Sequence, residues 1–96
     1  MSVTDPYDEK TSTLTLAKPI EWGAETIEKL TFREPTGADI ESLPLGTVTA
    51  GDYVRIAARL TAQPYEALLR ASAKDTLLIC GAVERQLSGG PPTGET

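Results

Sequence analysis

Between Leu14 and Asp39 the chain alternates, turns, alternates again and then starts a helix, and that order leaves few folds open. Leu14, Leu16, Ile20 and Trp22 all occupy even positions, the period of two that gives a strand one buried face. Leu30 and Phe32 repeat the pattern on a second run. Gly23 lies between the runs, where a tight hairpin needs a residue that accepts positive φ. Pro35-Thr36-Gly37-Ala38-Asp39 then ends the second strand and offers a capping oxygen to a helix. The strands are expected over about 12–22 and about 26–33. Pro19 cannot donate to a ladder, so the first strand lies at an edge or bends there. Ile27 is out of phase with Leu30 and Phe32, and a bulge near Glu28-Lys29 would restore the phase.

The remainder reads as helix, each start with its own signal. Thr36…Asp39, Thr49…Asp52 and Ser72…Asp75 share a spacing in which the first side chain caps an orphan amide and the acid reaches back to the cap. The first helix, about 37–43, is short and is stopped by Pro44 and Gly46. In the second, about 50–61, Tyr53, Ile56, Ala57 and Leu60 form one buried stripe. Pro64 opens a brief third helix with Tyr65, Leu68 and Leu69 facing inward. In the fourth, about 73–87, Ile79, Cys80, Val83 and Leu87 share an arc of about 100°. Leu77 borders that arc and Leu78 points nearly opposite. Gly81 in mid-helix costs about 1 kcal/mol relative to Ala, which is easier to understand where another backbone approaches closely. The fold class is therefore α+β: an N-terminal antiparallel β-hairpin (12–34) followed by a small bundle of three to four short α-helices (36–87). Polar residues 1–11 read as a flexible N-terminal arm and 88–96 as a disordered C-terminal tail, leaving 12–87 as a single globular domain.

Composition removes most chemistries. The chain has no histidine, hence neither the commonest general base nor a Ser-His or Cys-His nucleophile pair. One cysteine without histidine also fails every usual zinc spacing. No catalytic residue, cofactor-binding residue or metal ligand is expected, and paired acids such as Glu25/Glu28 read as solvated surface. Cys80, on the apolar arc, reads as a small buried hydrophobe, and its lack of a partner suits a reducing cytoplasm. A net charge of −5 weighs against nucleic acid, and Arg55, Arg59 and Arg70 do not offset it. Asp52, Arg55 and Arg59 share one side of the second helix and should pair weakly. No run approaches the roughly 20 apolar residues that span a bilayer. The start, Met1-Ser2-Val3-Thr4-Asp5-Pro6, lacks the basic and apolar regions of a signal peptide.

What remains is protein recognition. Leu77-Leu78-Ile79 cannot all face one core, so part of the last helix is exposed or covered by another chain. Trp22, next to Gly23, either closes the hairpin core or serves as a partner-facing anchor. Trp22, Leu69, Leu77 and Leu78 are the candidate partner-binding residues.

The string Leu14-Thr15-Leu16-Ala17-Lys18-Pro19-Ile20, then Gly23, then Leu30-Thr31-Phe32-Arg33-Glu34-Pro35-Thr36 and Asp39, resembles the tail assembly chaperones of long-tailed bacteriophages, in particular the Mu-like group. A looser likeness continues through Leu60-Thr61-Ala62-Gln63-Pro64, Leu68-Leu69 and Ala73-Lys74-Asp75, covering about 12–87. The turn Trp22-Gly23-Ala24-Glu25 and the compact link Pro44-Leu45-Gly46 depart from the pattern. The resemblance implies a structural role for Lys18, Pro19, Gly23, Arg33, Glu34, Pro35 and Asp39. It implies a non-enzymatic protein of the host cytoplasm that binds the tape measure protein, keeps it soluble, promotes tube assembly around it and is absent from the mature virion. Self-association along the client is expected, without cofactor, nucleic acid or membrane. The alternative is a small structural virion protein of the tail or connector; a DNA-binding regulator ranks behind both. Such chaperones are often made in two lengths by a ribosomal frameshift, the longer form reaching tail tube subunits. Here Gly89-Gly90-Pro91-Pro92 is the run whose G- and C-rich codons would carry the slip. Sequencing the coding region tests this: a homopolymeric stretch there and an overlapping downstream frame are expected, and neither would be found if only one length is made.

Overall fold

Two hydrogen bonds from strand to helix set the geometry of this α+β fold. The computed structural model describes residues 6–41, 43–44 and 46–88. Along the chain come β1 (Tyr7–Asp8), β2 (Thr13–Trp22), β3 (Glu25–Thr31), α1 (Gly37–Ile40), α2 (Ala50–Thr61), α3 (Tyr65–Leu68) and α4 (Ala73–Leu87). The strands form one antiparallel sheet in the order β1-β2-β3, and α2 and α4 pack together over it. Gly23, at φ +62°, is the first central residue of the two-residue turn between paired Trp22 and Glu25, where a II′ hairpin favours glycine.

β2 pairs with β3 regularly through Thr13↔Thr31, Leu14↔Leu30 and Thr15↔Lys29, and resumes at Ile20↔Ile27. Leu16, Ala17, Lys18 and Pro19 thus oppose Glu28 alone. The irregularity expected near Glu28-Lys29 has its extra residues on the other strand. The amides of Ala17 and Lys18 leave the ladder and donate to the two oxygens of Asp75, each at 2.9 Å, while Pro19 has no amide to place. The detour resets the phase, so Leu14, Leu16, Ile20, Ile27 and Leu30 are all buried. β2 is the middle strand, but β1 reaches only Thr13 and Leu14, so the stretch containing Pro19 is paired on one side at most.

Asp75 is completely buried (0% exposed) at the start of α4. Ser72 Oγ accepts from the Asp75 amide at 3.2 Å, which is the first half of the expected cap. The acid does not return to Ser72; its carboxylate is directed at β2 instead. In Thr49…Asp52 both halves form, with Asp52 accepting from the Thr49 amide at 2.9 Å and Thr49 Oγ1 accepting from the Asp52 amide at 3.2 Å.

α2 and α4 have the expected bounds, whereas α1 stops after one turn at Ile40 rather than near residue 43. Along α2 the buried residues are Val54, Ile56, Ala57 and Leu60; Tyr53 is only half-buried and donates its hydroxyl to Glu84 at 3.2 Å. Ala67 and Leu68 are the buried residues of α3, and Leu69, expected inward, follows that single turn facing solvent. On α4 it is Ile79, Ala82 and Val83 that are buried, with Cys80 and Leu87 half-buried against the core.

The expectation of a loose arm does not extend to Tyr7–Asp8. Tyr7 is buried edge-on against Phe32, 6.3 Å between ring centroids, and the Thr15 amide donates to the Pro6 carbonyl at 2.8 Å. With so few aromatics, the sheet end uses Tyr7 to cover Phe32. Residues 1–5, Leu45 in the link and the expected tail at 89–96 lie outside the described residues.

Replacing Asp75 with Ala should lower unfolding stability by about 2 kcal/mol through loss of two charge-assisted bonds, read from urea denaturation. Amide exchange at Ala17 and Lys18 should accelerate relative to Leu14; unchanged exchange would show that the carboxylate does not hold the detour.

Candidate functional site

The Arg33…Asp39 block closes a loop around one carboxylate. Arg33 follows β3 and donates from both terminal nitrogens to Asp39, 2.8 Å on each oxygen. The Thr36 amide and hydroxyl donate to Asp39 Oδ2 at 2.8 and 3.2 Å. Arg59 Nε, from α2, completes the set at 3.0 Å on Oδ1. The acid at the third position of α1 thus ties the end of β3, the start of α1 and the last turn of α2 together, and the Arg33 amide adds a bond to the Leu60 carbonyl at 3.0 Å. Asp39 is covered by these partners rather than deep, since both guanidinium groups reach water. The Arg33 side chain, with the Thr36 amide next, holds the Asp39 carboxyl far below the usual carboxylate range against the opposing effect of its burial. Arg59 therefore serves Asp39, and only Arg55 pairs with Asp52, at 3.3 Å.

The other motif residues shape backbone. Lys18 contributes its amide to the Asp75 clamp, Pro19 ends the detour, and Gly23 makes the hairpin turn. Glu34 gives its carbonyl to Arg33 Nη1 at 3.2 Å and, with Pro35, lines a surface groove. Sequence spacing did not single out Asp75 or Arg59 for these roles. Asp75 was nonetheless legible as inward, being one helical turn before Ile79 and two before Val83. Arg59 carried no such signal.

The expected partner-binding residues are not gathered in one place. Trp22 packs partly against the core with the Arg70 guanidinium 5.1 Å from its ring centre. Leu78, expected to point outward, is half-buried against the core, and it is Leu77 that stands 70% exposed. Leu69 is 56% exposed and Ile40, which sequence reasoning passed over, is 40% exposed. A groove of about 600 Å³ runs past Tyr7, Glu34, Pro35, Ile40 and Leu87. A smaller one, about 100 Å³, is lined by Leu14, Leu77, Leu78 and Gly81 and shares Tyr7 and Arg85 with the first. Both are open to the surface; polar side chains such as Glu9, Ser12, Thr36 and Gln86 share the lining of the larger one with Pro35, Ile40 and Leu87, whereas the smaller one is mainly apolar, and such surfaces can receive a polypeptide. Burial raises the Cys80 thiol above its ordinary pKa, which disfavours the reactive thiolate.

A family profile described as "Phage tail assembly chaperone proteins, E, or 41 or 14" matches residues 13–83. The chain belongs to that family. The matched span runs from the first residue of β2 into α4, so it contains the Asp39 assembly, the Asp75 clamp and Leu77. No curated protein and no solved structure matches the chain. The role that comes with the family is that of a phage tail assembly chaperone, acting on other tail proteins, and such chaperones are generally non-enzymatic. No helix among the described residues is long and apolar enough to cross a membrane, and no cluster of three or more potential metal ligands occurs among them.

For this chaperone the depressed Asp39 pKa has a definite sign in solution. The unfolded chain takes up the proton near the ordinary value of about 3.9, the folded chain only well below it. The resulting stabilisation is complete above the ordinary value and is lost as pH falls toward the folded one. Urea midpoints should drop between about pH 5 and pH 2, and Asp39→Asn should flatten that slope while lowering the neutral-pH plateau. An unaltered slope in the variant would show that another carboxylate governs the acid limb.

Proposed function

We propose that the chain binds the tape measure protein in the host cytoplasm, keeps it soluble and promotes assembly of the tail tube around it. It leaves before the particle is complete. The observation that carries this is Leu77, a large aliphatic side chain 70% exposed in the middle of the longest helix, in a member of the tail assembly chaperone family. Single exposed leucines are ordinary. Here Leu77 adjoins half-buried Leu78 along a shallow groove, and Leu69 and Ile40 add further apolar surface.

A long helical client presents apolar stripes at spacings of three and four residues, and shallow apolar grooves can cover such stripes without enclosing them. Each contact is weak, so many copies along one client would supply avidity. The surplus of acidic groups, net −5, would keep a coated client dispersed. Trp22 lies beneath Arg70 and contributes less to this surface than the leucines do. A longer frameshifted form would bring tube subunits to the same client.

Co-expression should raise the soluble yield of the tape measure protein and recover both chains in one complex. Leu77→Asp should weaken that complex about tenfold with helical content unchanged, as expected where an apolar anchor becomes a charge. Full retention of client by Leu77→Asp and Leu69→Asp alike would refute the reading. Abundant chain in purified particles by mass spectrometry would instead favour a structural virion component.

A further inference from the structure

Lys74, Leu77, Gly81, Glu84 and Ser88 form a seam along the outer side of α4 and its cap, at spacings of three, four, three and four residues. Such spacing is that of helices that pack side by side. Lys74, Leu77, Glu84 and Ser88 are exposed, and a Cβ built on Gly81 meets nothing within 4 Å. Among the described residues there is thus no packing reason for a glycine in mid-helix, where Ala would be favoured by about 1 kcal/mol. No described residue makes the close approach anticipated at Gly81, which leaves that site open to another molecule.

We propose that α4 pairs antiparallel with α4 of a second copy, about a two-fold axis at the level of Ile79. From Lys74 to Glu84 the spacing is three, four, three, which reads the same in reverse. Reversing the second helix about Ile79 sets Leu77 against the second copy's Gly81 and Lys74 against the second copy's Glu84. The two-fold repeats each pair, so two knobs fill two open sites and two opposite charges meet at each end. In-register parallel pairing would instead oppose Lys74 to Lys74 and Glu84 to Glu84, which charge disfavours. Lys74 forms no ion pair among the described residues, and the Tyr53 hydroxyl holds Glu84 Oε2 at 3.2 Å beside the seam. A single helix pair buries less than the roughly 1,600 Å² of a standard interface, so the dimer is weak and exchanges readily. It covers Leu77 when nothing else does. The dimer does not rest on the client reading and is tested on the chain alone.

Sedimentation equilibrium of the full chain at about 10–500 μM should show a monomer–dimer equilibrium, as a small interface requires. Lys74→Glu places like charges at both ends and should raise the dimer Kd about tenfold, the combined effect of two exposed pairs reversed. Glu84→Lys should do the same, and the double variant Lys74→Glu/Glu84→Lys should return to within about threefold of the parent. Gly81→Leu should abolish the dimer with the circular dichroism spectrum unchanged. A parent chain monomeric throughout, a dimer indifferent to Lys74→Glu, or a double variant that stays weak would each overturn the proposal. If the chain is monomeric and a tape measure segment protects Leu77 instead, the seam belongs to the client and the proposed function stands. Dimerisation as described, with no capture of the tape measure protein, would leave the pairing intact and refute the function.

Discussion

The contact between Asp75 and the amides of Ala17 and Lys18 joins the two halves of this fold. A strand interrupted by proline loses ladder bonds, and the backbone groups beside it need other partners. The chain meets that need with one buried carboxylate, both oxygens engaged at 2.9 Å. The same contact anchors the first turn of α4 to the sheet and accompanies the register shift that sets Ile20 opposite Ile27, so that both are buried. Sheet register, helix position and core composition thus meet at one side chain. Because a negative charge at a helix start is also favoured by the helix dipole, the clamp suits its location electrostatically.

A second carboxylate solves a different problem. Asp39 gathers donors from the chain just after β3, from the Thr36 cap that precedes α1, and from α2. A one-turn helix has little cooperativity of its own, so α1 persists through this assembly more than through propensity. Within the block Arg33-Glu34-Pro35-Thr36 with Asp39, the Arg33 guanidinium, the Glu34 carbonyl, the Thr36 amide and hydroxyl and the Asp39 carboxylate each have a bonded partner. Two arginines that still reach water neutralise the acid and leave the surrounding surface mixed in charge.

Much of this was readable beforehand, for identifiable reasons. The bounds of α2 and α4 followed from caps and periodicity, and the hairpin from Gly23 between two alternating runs. Three Ser/Thr-x-x-Asp patterns looked alike in the sequence but took three courses. Asp52 completed its box, Asp39 returned to the Thr36 amide while recruiting two arginines, and the Asp75 carboxylate turned to a strand 57 and 58 residues away. Local spacing specifies the cap and is silent on such distant partners. The same limit explains Leu77 and Leu78. Helical rotation set Leu77 at the border of the expected core arc and Leu78 nearly opposite it, whereas Leu77 is exposed and Leu78 half-buried, because which of two neighbours meets the core depends on where the sheet and α2 lie. Tyr7 was missed because a two-residue strand carries no periodicity at all.

Gln86 has one further consequence. Its side-chain amide donates to the Tyr7 hydroxyl and, at 3.0 Å, to Ser12 Oγ, fastening the last turn of α4 to the first hairpin. Leu87, the next residue, lies on the rim of the larger groove. Tyr7, Ser12 and Gln86 line that groove as well, so the bonds that fasten helix to sheet also hold one of its walls in place, and a ligand seated there would feel any fraying of the last helical turn.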